Sequence, residues 1–220
     1  MANQSKPFRF LDLPPELRVR VYSYLFEFEH PLTIDPDGLW LEGDWDEKEK
    51  VWRRQCITTG LIVSCKTIHR EATPVLYGSN TFHGNGNRRF LQHIRRYIPH
   101  VRRFVMAHSA KTHRHGDLVL LKAATSLSHL EIPSLYCNTY SWQRDHSKED
   151  IRQALAKEMG PLFRSLHKSQ KKDLDKKDRD VLDVLVISAD WVRGPGKDKV
   201  MEEAKQDENR IKETLRKTLK

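Results

Sequence analysis

The chain has 220 residues, with 39 Lys and Arg against 30 Asp and Glu and a formal net charge of +9 at neutral pH. That length fits one domain or two small ones; 38% hydrophobic residues suffice for a packed core, and a 31% charged fraction points to solvated segments beyond it. No run reaches the roughly 18 apolar residues of a membrane span, MANQSKPFRF carries no apolar signal segment, and Cys56, Cys65 and Cys137 form no metal or redox pair, so a reduced cytoplasmic or nuclear compartment is expected.

The first predicted element is a helix within Phe8 to Phe26, FRFLDLPPELRVRVYSYLF. Asp12 is a candidate N-cap. Pro14 and Pro15 fit the first turn, where the amide N–H groups have no intrahelical partner. Glu16 complements the positive end of the helix dipole. Leu17, Val21, Tyr24, Leu25 and Phe28 fall on one stripe at helical spacing, and Val19, Tyr22 and Phe26 widen the apolar arc. One amphipathic stripe is enough to sit on a core. The wider arc predicts contact with the chain's own core and with something else.

Leu13-Pro14-Pro15-Glu16-Leu17, followed by Val21, Tyr24 and Leu25, resembles the opening of an F-box. A second signature runs from Leu61-Ile62-Val63-Ser64-Cys65 through Ile68, Glu71-Ala72 and Val75-Leu76-Tyr77 to Asn80-Thr81-Phe82. In this order and spacing the two halves resemble the F-box-like proteins abundant in filamentous fungi, over residues 8–84. In that family the opening helix docks on the Skp1 adaptor of a cullin–RING ubiquitin ligase, and the C-terminal region recruits a target. The resemblance therefore implies a Skp1-like adaptor as partner and Leu13, Pro14, Leu17, Val21 and Leu25 as docking positions.

Downstream, Pro31-Leu32-Thr33-Ile34 and Leu39-Trp40-Leu41 flank Asp35-Pro36-Asp37-Gly38, which reads as a β-hairpin inserted between F-box helices. The acidic stretch Glu42–Glu49 reads as a loop entering a helix near Val51. Leu61, Cys65, Ile68, Ala72 and Val75-Leu76 repeat at helical spacing; Pro74 is expected to break or kink that helix, which should end near Tyr77-Gly78. Cys65 reads as a small buried hydrophobe rather than a reactive thiol. A third amphipathic helix is predicted over Asn87–Tyr97, stopped by Pro99, with Phe90, Leu91, Ile94, Tyr97 and Ile98 on one stripe and the arginines opposite.

Strands and helices then alternate: a strand at Val101–Met106, a helical run at Leu118–Ala124, a strand around Leu127–Ile132, a long helix from Lys148 to Leu166, and a strand at Val181–Ser188. Such alternation predicts parallel pairing with right-handed crossovers. Leu127-Ser128-His129-Leu130-Glu131-Ile132 has a leucine-rich-repeat cadence, at irregular repeat length. The last strand is apolar enough to be buried on both faces. Lys168–Arg179 reads as a charged loop. Beyond Gly194-Pro195-Gly196, Val200, Ala204, Ile211, Leu215 and Leu219 mark a weak stripe on a terminal helix that either docks loosely or stays free.

The expected fold is α/β (α+β): an F-box-like helical region with a β-hairpin insertion over 8–84, a small degenerate leucine-rich-repeat-like strand and helix layer over 85–193, and a charged C-terminal tail helix over 194–220. No phosphate loop or nucleophile elbow is present. His108, His113, His115 and Asp117 have no spacing that favours a metal. No catalytic, cofactor or metal residue is assigned, and a non-enzymatic protein-interaction module is expected. The alternative is a binder of nucleic acid or another polyanion through residues 83–115. That stretch has no acidic residue, six histidines, and arginine pairs Arg88 and Arg89, Arg95 and Arg96, Arg102 and Arg103.

Overall fold

The computed structural model describes residues 8–35, 38–46, 51–57, 59–84, 91–92, 94–106, 118–133, 147–171, 180–189 and 197–219. It is an α/β (α+β) protein. After a 3-10 turn at Phe10–Asp12 come α1 (Pro15–Phe26), β1 (Leu32–Asp35), β2 (Gly38–Asp46), β3 (Val51–Cys56), α2 (Gly60–Ser64), α3 (Lys66–Ser79) and β4 (Thr81–Gly84). Then follow β5 (Arg103–Met106), β6 (His129–Pro133), α4 (Lys148–Gln170), β7 (Leu185–Ser188) and α5 (Lys197–Leu219).

Among the described residues seven strands form one mixed sheet, in the order β3-β2-β1-β4-β5-β6-β7. The expected hairpin is present: β1 and β2 pair antiparallel, with Asp35 opposite Gly38. From β1 onward, β4, β5, β6 and β7 join in sequence order, each parallel to its neighbour. Their register aligns Leu32, Phe82, Phe104, Leu130 and Leu185 in one row. All five side chains are fully buried. Alternation along each strand sends these residues to one face of the sheet and their sequence neighbours to the other. The sheet continues across the boundary expected at residue 84.

Several local expectations are corrected. The first part of the expected acidic loop is strand, since β2 continues through Asp46, while residues 47–50 lie outside the described residues; the helix expected near Val51 is instead β3, Val51–Cys56, antiparallel to β2. Asp12 closes a 3-10 turn, and Pro14 holds the N-cap position of α1. Cys65, in extended backbone, separates α2 from α3, and its sulfur accepts the Ile68 N–H at 3.5 Å. Pro74 lies inside α3 without ending it. The Thr73 hydroxyl donates to the His69 carbonyl at 2.5 Å, binding the helix one residue before the carbonyl that Pro74 cannot serve. Pro99 sits within a 3-10 turn, Ile98–His100.

Residues 87–90 and 93 of the third predicted helix lie outside the described residues; 91–92 are helical and 94–97 form a turn. The helical run at Leu118 ends at Leu121. Val181–Val184 is a 3-10 turn, and β7 begins at Leu185. Burial on β7 alternates, so the expected burial on both faces does not occur: Leu185 and Ile187 are buried while Val186 and Ser188 are half-buried. The terminal helix is docked. α5 packs on α4 and β7 and buries Ala204, Asp207, Ile211 and Leu215. Ser147 and Asp150 form a capping box that starts α4.

Candidate docking face on the first helix

α1 is held to α3 by polar groups on its inner face. Arg18, Tyr22 and Phe26 point inward and are buried. The Arg18 guanidinium donates to both Glu71 oxygens, at 2.8 Å from Nε and 2.7 Å from Nη2. Its Nη1 donates to the carbonyls of Leu13 at 2.6 Å and Leu11 at 3.2 Å. Tyr22 donates its hydroxyl to Glu71 at 3.1 Å, and its ring meets Phe10 edge-on at 5.6 Å. A bidentate guanidinium–carboxylate pair fixes orientation as well as distance. The same arginine therefore sets both the α1–α3 packing and the path of the Leu11–Leu13 segment. Its guanidinium holds the Glu71 carboxyl below the usual carboxylate range. Burial, then hydrogen bonding to Glu71, pushes the Tyr22 phenol up to about 12.

The five residues implicated by the resemblance lie away from that inner face. Leu17 and Leu25 are exposed, at 43% and 42%, and Pro14 is exposed. Leu13 and Val21 are half-buried. Leu17, Val21 and Leu25 recur every fourth residue, so they form one stripe, about a third of a turn from Arg18, Tyr22 and Phe26. Tyr24, 90% exposed, lies within the stripe. Leu11 and Val19 on the same segment, and Val63 on α2, are also exposed. The inner face is thus the arc containing Arg18, Tyr22 and Phe26. The hydrophobic pattern misses this because Arg18 is charged; its partner Glu71 is 53 residues away.

The arginine-rich segment is only partly assembled. Arg95, Arg96, Arg102 and Arg103 are exposed, and Arg103 donates to the Ser79 carbonyl. Arg88 and Arg89 lie outside the described residues, as do His108, His113, His115 and Asp117. Arg95 and Arg96 occupy a turn. Tyr97 anchors the segment by stacking on Tyr77 at 4.7 Å, and Tyr77 stacks on Phe82 at 5.6 Å. Burial raises the Tyr77 phenol well above its ordinary range. His69 Nε2 lies 3.0 Å from the Tyr97 hydroxyl oxygen.

A polar row on the opposite sheet face was missed in the sequence. Register places Thr33, His83, Val105, Glu131 and Val186 side by side, with Arg103 and His129 in the neighbouring row. His129 Nε2 lies 3.5 Å from Glu131, and the Glu131 carboxyl is held below its usual range, first by that contact and also by a hydrogen bond with Ser188. The alternation of His129-Leu130-Glu131-Ile132 carries this signal. Among the described residues no three His, Cys, Asp or Glu side chains converge as a metal site. No helix among them is long and apolar enough to cross a membrane. No protein-family model, curated protein or solved structure matches this chain.

Proposed function

We propose that the chain is a non-enzymatic interaction module whose first helix docks on a Skp1-like adaptor of a cullin–RING ubiquitin ligase. The parallel strands of its sheet then serve as the target-recruiting part. The observation that carries this reading is the division of α1. Arg18, Tyr22 and Phe26 are the buried residues of the helix, while Leu17, Tyr24 and Leu25 are exposed as an apolar stripe. Apolar side chains at i, i+4 and i+8 on a rigid helix are the anchors that a hydrophobic groove takes. Contiguous exposed apolar surface marks interaction sites.

The test is binding of recombinant Skp1-like adaptor by the wild type, Leu17→Asp and Leu25→Asp, with folding checked by circular dichroism. Each variant should lose about tenfold or more in affinity, as expected for anchor residues at an interface centre. No binding by folded wild-type protein would reduce α1 to a scaffold element. A second reading, polyanion binding by the basic segment, is favoured by the exposure of Arg95, Arg96 and Arg102. It predicts affinity for single-stranded RNA that falls steeply between about 50 and 200 mM salt.

A further inference from the structure

Among the described residues the last strand of the sheet, β7, pairs with β6 on one side only. An unpaired strand edge is a template for another strand, and proteins block such edges. Here both N–H groups that point away from β6 are already occupied. Leu185 donates its N–H to the Leu182 carbonyl of the preceding 3-10 turn. Ile187 donates its N–H to the Glu208 carboxylate at 2.9 Å. Glu208 is on α5, and its other oxygen accepts from Lys212 at 2.7 Å. A side chain thus stands where the carbonyl of a further strand would stand.

Ion pairs hold the helix that carries Glu208 at successive heights. Lys148 faces Glu203, Arg152 grips Asp207, and Arg216 meets Asp180. Only Ala204, Ile211 and Leu215 supply fully buried apolar contact from α5. The edge beneath it is Leu185-Val186-Ile187-Ser188, a segment of strong strand-forming residues.

We infer that α5 is an edge guard, with Glu208 as its blocking group, and that removing this side-chain acceptor opens β7 to antiparallel pairing with β7 of a second copy of the chain. A two-fold pair is the natural product, because each copy offers the same edge. This inference does not depend on what α1 binds.

The experiment compares full-length wild type with Glu208→Ala, Glu208→Asp and Glu208→Gln. Exchange of the Ile187 amide is followed by NMR, and association by sedimentation velocity over a concentration series. Glutamine keeps an acceptor at the same reach; aspartate keeps the charge but is one methylene shorter; alanine removes both. The Ile187 amide should exchange about tenfold or more faster in the alanine and aspartate variants than in wild type or the glutamine variant. Those two variants, with helix content intact, should dimerise as concentration rises. Unchanged exchange, faster exchange in chains that stay monomeric, or equal acceleration in the glutamine variant would each overturn the inference.

Discussion

Asn80 and Phe28 meet through a side-chain carbonyl and a backbone amide, 2.8 Å apart, at the point where the chain leaves α1 for the sheet. The Asn80 amide nitrogen donates in turn to the carbonyls of Phe26 at 2.5 Å and Leu76 at 2.7 Å. One fully buried side chain therefore serves the ends of both α1 and α3. Asn80→Ala would strand two buried backbone carbonyls and the partly buried Phe28 amide, and should destabilise the fold by about 3 kcal/mol. Asn80→Asp, which cannot donate, should be no better. Urea denaturation followed by circular dichroism measures both.

Glu71 makes stability depend on pH. Its carboxyl titrates below the ordinary value of 4.5 in the folded chain, chiefly because Arg18 donates to it. Its contribution is complete above that ordinary value and is lost as pH falls through the lower, folded value. Thermal melting of the wild type and Glu71→Gln should therefore differ most near neutral pH and converge in acid. Tyr22 acts in the opposite direction. Its phenol is pushed up to about 12, so its contribution is complete below 10 and is lost as pH rises towards 12. Tyr22→Phe should lack that alkaline loss.

Gly84 leaves room for a ring. A Cβ at this position would stand 2.6 Å from Cζ of Phe104 on the adjacent strand. Gly84→Ala should cost about 1–3 kcal/mol through the shift it forces on a packed aromatic. Adding Phe104→Leu should return part of that loss, which a double-mutant cycle in urea would measure.

Arg152 and Asp207 form a pair buried between α4 and α5, with Nη2 to Oδ1 at 2.5 Å and Nε to Oδ1 at 2.7 Å. The second aspartate oxygen is buried without a hydrogen-bond partner among the described residues. Arg152→Ala should destabilise by about 3–5 kcal/mol, because a lone buried carboxylate remains. Replacing both, as Arg152→Met with Asp207→Leu, should leave stability near wild type or above it. Thermal melts of the two variants decide between these outcomes.

Much of the layer structure was legible in the sequence. The hairpin around Gly38, the strands at Phe104, Leu130 and Ile187, and the long helix after Lys148 follow from local pattern, because each puts its apolar residues at one period. What was hidden depended on distant partners. Arg18 faces inward because Glu71 receives it, and periodicity counts any arginine as an outer residue. Strand β4 is only four residues long, and its identity comes from β1 and β5 on either side. Strand β3 follows an acidic run, and its place in the sheet is set by β2 rather than by its own composition. The terminal helix has a weak apolar stripe that is nevertheless buried, and the ion pairs that join it to α4 and to Asp180 reach partners that no local pattern contains. For the candidate site, the resemblance supplies five positions, and the exposure of Pro14, Leu17 and Leu25 follows from the buried arc beside them.

The in-register row from Leu32 to Leu185 also acts as a ruler. Five parallel strands, taken in sequence order, separate β1 from β7 by about 19 Å at the usual spacing between strands. Inserting one more strand-and-connection unit in the middle would lengthen the sheet by about 5 Å. Neither the Arg18–Glu71 joint at one end nor the Glu208 closure at the other would need to change. The distance between the two ends can therefore be altered by whole units, independently of the chemistry at either end.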